Sequence, residues 1–165
     1  MRLVVFKLLG ALLQRRGVLA LVGEGGEHQP VDPVGLRLRD RAMIRSIFTR
    51  DGLPSAYDPA VAETLADVEL KFGDQVPTGT YLDMTSKLPL VDPTKVLCPV
   101  LMLRGDHDGI STNEDLLDFY RQLPNGDRQF VILPNVAHSI GYSNNRHMAN
   151  HVMQAFLTMP PQVAS

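Results

Sequence analysis

The stretch CPVLMLRGDHDGI, residues 98–110, decides how this chain is read. Val100, Leu101, Met102 and Leu103 form a short, unbroken apolar run, the pattern of a strand buried on both faces. The run ends in Gly105, two acids and a histidine, which is turn chemistry. A second run, RQFVIL (128–133), leads into LPNVAHSI (133–140) and so to His138. Between the two runs, STNEDLLDFYRQLPNG (111–126) predicts a helix, with a capping-box pattern from Ser111 to Glu114 and a Pro124-Asn125-Gly126 stop. NNRHMANHVMQAFLTMPP (144–161) predicts a last helix, with Met148, Val152 and Phe156 on one face and Pro160 closing it. Strand, helix, strand, helix with buried strands predicts an α/β fold: a parallel sheet covered by helices.

The rest of the chain narrows what that sheet could serve. At 165 residues there is room for one domain with a real core. A hydrophobic share of 44% and a net charge of −2 suit a globular protein and argue against a nucleic-acid partner, which leaves a strongly basic footprint. Cys98, the single cysteine, excludes an internal disulfide and a thiolate zinc cluster, and its setting before an apolar run reads as a small buried hydrophobe. The opening MRLVVFKLLGALLQRRGVLALVG (1–23) is interrupted by Lys7, Arg15 and Arg16, with apolar runs far too short for a membrane span. It reads as core, a helix over 3–14 and a strand over 17–23, and the expected location is cytoplasmic with no membrane partner.

Gly23, Gly25 and Gly26 match neither a phosphate loop nor a dinucleotide fingerprint. Residues 36–66 read as helical, with Arg37, Arg39, Arg41, Arg45 and Arg50 on a solvated face and Leu38, Met43, Ile44, Ile47 and Phe48 turned inward. In YDPAVAETLADVELKFG (57–73), Asp58 suits an N-cap, Pro59 the first helical position and Gly73 the stop, while Val61, Leu65, Val68 and Phe72 make an apolar stripe. His147 and His151 stand four apart on the last helix but lack a zincin glutamate and a third ligand, so no metal site is expected.

In open parallel sheets, functional groups gather beyond the carboxyl ends of the strands. Here that rule selects GDHDG (105–109) and Ala137-His138-Ser139. Neighbouring strands lie about 4.8 Å apart, so an acid and an imidazole at adjacent strand ends can meet. Such a pair is the orienting half of a nucleophilic triad: the acid fixes the imidazole, and the imidazole takes the nucleophile's proton. Asp106 and Asp108 both remain open as the acid at this point. His107 reads as a loop residue at the edge of the site.

CPVLMLRGDHDGI, LPNVAHS and the closing helix resemble the C-terminal part of an α/β-hydrolase, over about residues 95–158. The family's acid follows a late strand in a Gly-x-x-Asp turn, and Gly105-Asp106-His107-Asp108 matches, which implies that Asp108 is the acid. Its histidine lies on the loop after the last strand, which implies that His138 is the base. The resemblance further implies three parts: a core helix and strand at 1–24, a helical cap or lid at 25–93 and the C-terminal half of the core at 94–165. Met43, Ile44, Phe48, Tyr57, Tyr81 and Met84 of the cap could line an acyl or aromatic pocket or simply pack the cap.

Two parts of the family's machinery have no counterpart in these residues. None of Ser46, Ser55, Ser86, Ser111, Ser139, Ser143 and Ser165 lies in a Gly-x-Ser-x-Gly elbow, and no oxyanion-hole loop is recognisable. The glycine that the family often places beside its histidine is also replaced by Asn135-Val136-Ala137. The resemblance therefore implies a partial α/β-hydrolase fold, with hydrolysis of an ester, thioester or related acyl bond of a small molecule by an Asp-His pair serving a nucleophile outside these residues. No cofactor is implied. The alternative is a catalytically inactive fragment acting as an interaction module, with self-association through an exposed sheet edge.

Overall fold

The computed structural model describes residues 3–5, 35–79 and 90–160. Its central strand, β4 (Val100–His107), is the apolar run of residues 100–103 extended into the acid turn, buried from Val100 through Gly105. It lies between β1 (Leu3–Val5) and β5 (Arg128–Ala137), parallel to both. The helix expected over 3–14 therefore begins instead as a strand, with Leu3, Val4 and Val5 opposite Val100, Leu101 and Met102. A short apolar run has no period of its own, and β-branched Val4 and Val5 suit a pleated surface. The strand expected over 17–23 lies outside the described residues.

Alternation along β4 divides the core. Val100 and Met102 face α3 (Asn113–Gln122), where they pack on Leu116, Phe119 and Leu123. Leu101 and Leu103 face the other way, onto α4 (Arg146–Thr158), with Leu133, Val136, Ile140, Ala149 and Phe156. Each fully buried aliphatic or aromatic side chain contributes about 1.5–3 kcal/mol of transfer free energy, so the two helices are held mainly by these contacts. β5 is less buried than expected, and Ile132 is exposed. Among the described residues β5 pairs only with β4, which leaves part of its surface to solvent. The cap of α3 is shifted by one residue from the expected box: Thr112, not Ser111, accepts the N–H of Asp115 at 3.1 Å, and its hydroxyl donates to the Asp115 carboxylate at 2.8 Å.

Residues 35–79 build a second unit. β2 (Leu36–Leu38) pairs antiparallel with β3 (Gln75–Pro77), and α1 (Arg41–Thr49) packs against α2 (Val61–Glu69). Leu36–Leu38 is thus extended where a helix was expected. Asp40 accepts the Met43 N–H at 2.7 Å and starts α1. The arginines do not simply face water. Arg41 reaches Glu63 at 2.8 Å and Asp67 at 2.6 Å, while Arg45 also bonds Glu63 and Arg39 pairs with Glu69. Of the expected stripe, Val61 and Leu65 pack beside Ala66, which is buried with Ile44, Phe48, Ala56 and Tyr57, whereas Val68 and Phe72 are exposed. Gly73, at φ 115°, ends the segment as expected, in a conformation that favours glycine. Asp58 accepts the Ala60 N–H at 2.8 Å and so caps the turn before α2 rather than α2 itself.

Candidate active site

The acid turn and the histidine loop leave the carboxyl ends of β4 and β5 side by side. Asp108 and His138 meet there, with Nδ1 of the imidazole 2.9 Å from Oδ1 of the carboxylate. Both are largely sheltered, with side chains 8% and 11% exposed. A carboxylate only accepts, so the imidazole donates from Nδ1–H and its Nε2 is left as the acceptor. Asp108 is held in this pose by its own turn, since the same Oδ1 accepts the N–H of Ile110 at 2.8 Å and of Ser111 at 3.3 Å. Burial by itself would raise the Asp108 carboxyl, but the hydrogen bond and charge of His138 and the two N–H groups outweigh it and hold it below its ordinary value. The carboxylate is therefore charged at neutral pH, the state that steadies an imidazolium.

Asp106, the rival acid, does different work. β5 spends Leu133 to Ala137 where β4 spends only Gly105 to His107, a bulge that includes Asn135 at φ 53°. Asp106 accepts the N–H of Asn135 at 3.1 Å and of Val136 at 3.2 Å, supplying acceptors that the interrupted ladder lacks. Its carboxyl is also held low, with those two N–H groups outweighing desolvation. His107 lies 3.9 Å from Asp106 and is exposed at the rim.

Arg104 was not singled out in the sequence, where it reads as the polar end of a strand. Its guanidinium is buried beneath the acid turn and donates to Ser111 O at 2.9 Å, Gly105 O at 2.7 Å, Asp106 O at 3.3 Å and Asp108 O at 2.9 Å. Among the described residues it has no carboxylate partner, so backbone carbonyl dipoles alone receive its charge. The planar fork spans the turn in a way that a point ammonium cannot.

The histidine loop is also gripped from the second unit, residues 35–79. Ser139 donates its N–H to the Tyr57 hydroxyl at 3.1 Å, and Asn144 donates its N–H to Ala56 O at 2.8 Å. Phe48 stacks edge-on against both Tyr57 and Tyr142, with ring centroids 5.0 and 5.6 Å apart. Burial, above all, pushes the Tyr57 hydroxyl up from its ordinary value, so it stays neutral. Of the expected pocket residues, Ile44, Phe48 and Tyr57 are consumed by this packing; Tyr81 and Met84 lie outside the described residues.

Among the described residues no side chain hydrogen-bonds Nε2 of His138, and Ser46, Ser55, Ser111, Ser139 and Ser143 make no contact of that kind with the ring. No cluster of three or more His, Cys, Asp or Glu suited to a metal ion occurs among them. His147 and His151 are exposed on α4. No helix among the described residues is long and apolar enough to cross a membrane.

Neither protein-family models nor curated proteins match the chain. Solved structures do. A soluble variant of monoglyceride lipase from Saccharomyces cerevisiae, in complex with a substrate analog, aligns with a TM-score of 0.50 and 18% identity, covering 64% of this chain and 41% of that one. E-2-(acetamidomethylene)succinate hydrolase aligns at 0.49 and 18% identity over 76% of this chain and 48% of its own. MGS-M2, an α/β-hydrolase enzyme from a Medee basin deep-sea metagenome library, aligns at 0.44 and 12% identity over 76% and 52%. The chain thus spans about half the length of the solved structures it matches. With parallel strands in the order β1-β4-β5 and helices on both faces of β4, it is a partial α/β-hydrolase fold.

Proposed function

We propose that this chain supplies the acid and the base of a hydrolase that cleaves an ester, thioester or related acyl bond. His138 takes a proton on Nε2 from the nucleophile as it attacks the acyl carbon and gives it to the departing alcohol or thiol. It then takes a proton from water and returns it to the nucleophile as the acyl bond to that nucleophile breaks, while Asp108 orients the ring and balances each imidazolium. The attacking group, a serine in this reading, comes from outside these 165 residues, because none of their serines has the elbow setting. The observation that carries the reading is the 2.9 Å contact between His138 Nδ1 and Asp108 Oδ1 at the ends of two parallel strands. The same loops that make this contact are built from backbone ties, which is how a catalytic pair is kept in alignment before substrate arrives.

The assay is hydrolysis of nitrophenyl esters and acyl thioesters. The 165-residue chain alone is expected to show no turnover that depends on His138. Reading the DNA ahead of the codon for Met1 for a Gly-x-Ser-x-Gly elbow in frame, and assaying the product that contains both, is expected to give turnover. In that product His138→Ala removes on the order of 10⁴–10⁶ of the rate. Turnover by the short chain that His138→Ala abolishes would place the nucleophile within it. An elbow-containing product with no activity on any acyl ester or thioester would favour the inactive interaction module instead.

A further inference from the structure

Catalysis by Asp108 and His138 leaves Asp51 without a role. Asp51 follows the end of α1, on neither the sheet nor the acid turn, and its side chain is 3% exposed. Its Oδ2 accepts the backbone N–H of His138 at 2.9 Å. Its Oδ1 accepts the N–H of Gly109, the residue after Asp108, at 3.3 Å. One buried carboxylate therefore bridges the backbones of the two loops whose side chains carry the pair. Bonds to an ionised acceptor are roughly twice as strong as neutral ones, and more so when water is kept out. Room for the bridge depends on glycine: a Cβ at position 109 would lie 2.9 Å from Asp51 Oδ1. Arg50, with Nε 3.6 Å from the same oxygen, balances the charge from the solvent side.

We propose that Asp51 is a positioning residue for the Asp108–His138 pair, fixing the spacing of the two loops from the cap side. This rests on the reading of that pair as acid and base. Without the bridge, the acid turn would still be closed by Arg104 and the bulge by Asp106, but the amide of His138 itself would lose its acceptor. The imidazole would then be aimed by Asp108 from a backbone held only further along the loop, at Ser139 and Asn144. An error of about 1 Å in such a group is enough to lose on the order of a hundredfold in rate. The neighbouring contacts of Tyr57 with Ser139 and of Ala56 with Asn144 make residues 51–57 one continuous clamp on the histidine loop.

The test needs no nucleophile and uses the isotope-labelled 165-residue chain. Proton NMR is expected to show a sharp, far-downfield Nδ1 proton of His138, which Asp108→Asn removes. In Asp51→Ala that proton broadens or vanishes, and amide exchange at Gly109 and His138 rises at least tenfold while Leu101 and Met102 in β4 stay protected. Asp51→Asn, which keeps the shape and one acceptor, restores part of the signal. A sharp Nδ1 proton in folded Asp51→Ala overturns the proposal, even if the two amides exchange faster, because Asp51 would then be only a backbone staple. Should Asp51→Ala fail to fold, Asp51→Asn decides: a proton as sharp as in the unsubstituted chain overturns the proposal, and a broadened one supports it. Absence of the proton from the unsubstituted chain strikes the acid–base reading itself, and the proposal with it.

Discussion

Gly105 lies directly against the backbone of Val136: a Cβ there would overlap the Val136 carbonyl oxygen and stand 2.6 Å from its carbon. The contact joins the acid turn to the bulge that precedes His138, and backbone on both sides leaves nothing flexible to move away. Gly105→Ala is therefore expected to destabilise the chain by about 3 kcal/mol, the upper end of overpacking costs. Urea unfolding followed by circular dichroism measures it. A loss well under about 1 kcal/mol would mean that the bulge yields more easily than its bonding suggests.

Arg104 provides a second test of how the acid turn is held. Arg104→Met removes the donor for four carbonyls of residues 105–111, and buried acceptors left unpaired cost about 1–3 kcal/mol each, with strong non-additivity. The expected total is about 3 kcal/mol. Arg104→Lys is expected to recover less than half of it, since an ammonium cannot reach both sides of the turn. Equal stability of the lysine and arginine forms would show that charge, not the fork, is what the turn requires.

The pair at the site makes stability depend on acid. The folded Asp108 carboxyl lies below its ordinary value of 3.8, so it binds its proton more weakly than in the unfolded chain. Its contribution is fully present above the unfolded value and is lost as pH falls through the lower folded value. Acid unfolding followed by circular dichroism is expected to be shallower in that window for Asp108→Asn than for the unsubstituted chain. Identical acid limbs would show that other carboxyls govern the transition.

Glu63 reports separately on the second unit, residues 35–79. Hydrogen bonds from Arg45 and then Arg41 pull its carboxyl from 4.5 to about 2. The depressed value means that the α1–α2 tie persists at neutral pH; its stabilisation declines as pH drops below 4.5, and the tie itself is released as pH passes through about 2. Carboxyl NMR titration is expected to show this low value, and high salt to raise it, because the pair is open to solvent. An ordinary Glu63 titration would separate the two helices electrostatically.

How much of this is legible in the sequence depends on distance along the chain. The strand ending at Gly105, the turn carrying Asp108 and the loop carrying His138 are each written locally, as an apolar run followed by turn residues. Their meeting follows from parallel pairing alone. Asp51 and His138 are 87 residues apart, and no periodicity links them, so the bridge emerges only when residues 35–79 are seated against the histidine loop. Arg104 is hidden differently: next to a strand end, a buried arginine and a solvated one look the same until the carbonyls around it are counted. Leu3–Val5 reads as the start of a helix although it is a strand, because LVV suits either period. The stripe of α2 is half right: Val61 and Leu65 pack beside buried Ala66, but Val68 and Phe72, at the far end of the segment, are exposed, because no described core lies against them.

The division of β4 between α3 and α4 has a further effect on the site. Ser111, which anchors the acid turn, leads into the helix packed on Val100 and Met102, whereas Ile140, just past His138, is embedded with Leu101, Leu103 and the closing helix. Asp108 and His138 are thus founded on opposite sides of one shared strand. The two footings differ, and the Asp51 carboxylate and the 2.9 Å side-chain contact are what couple them, so a substitution under one loop reaches the other through those bonds.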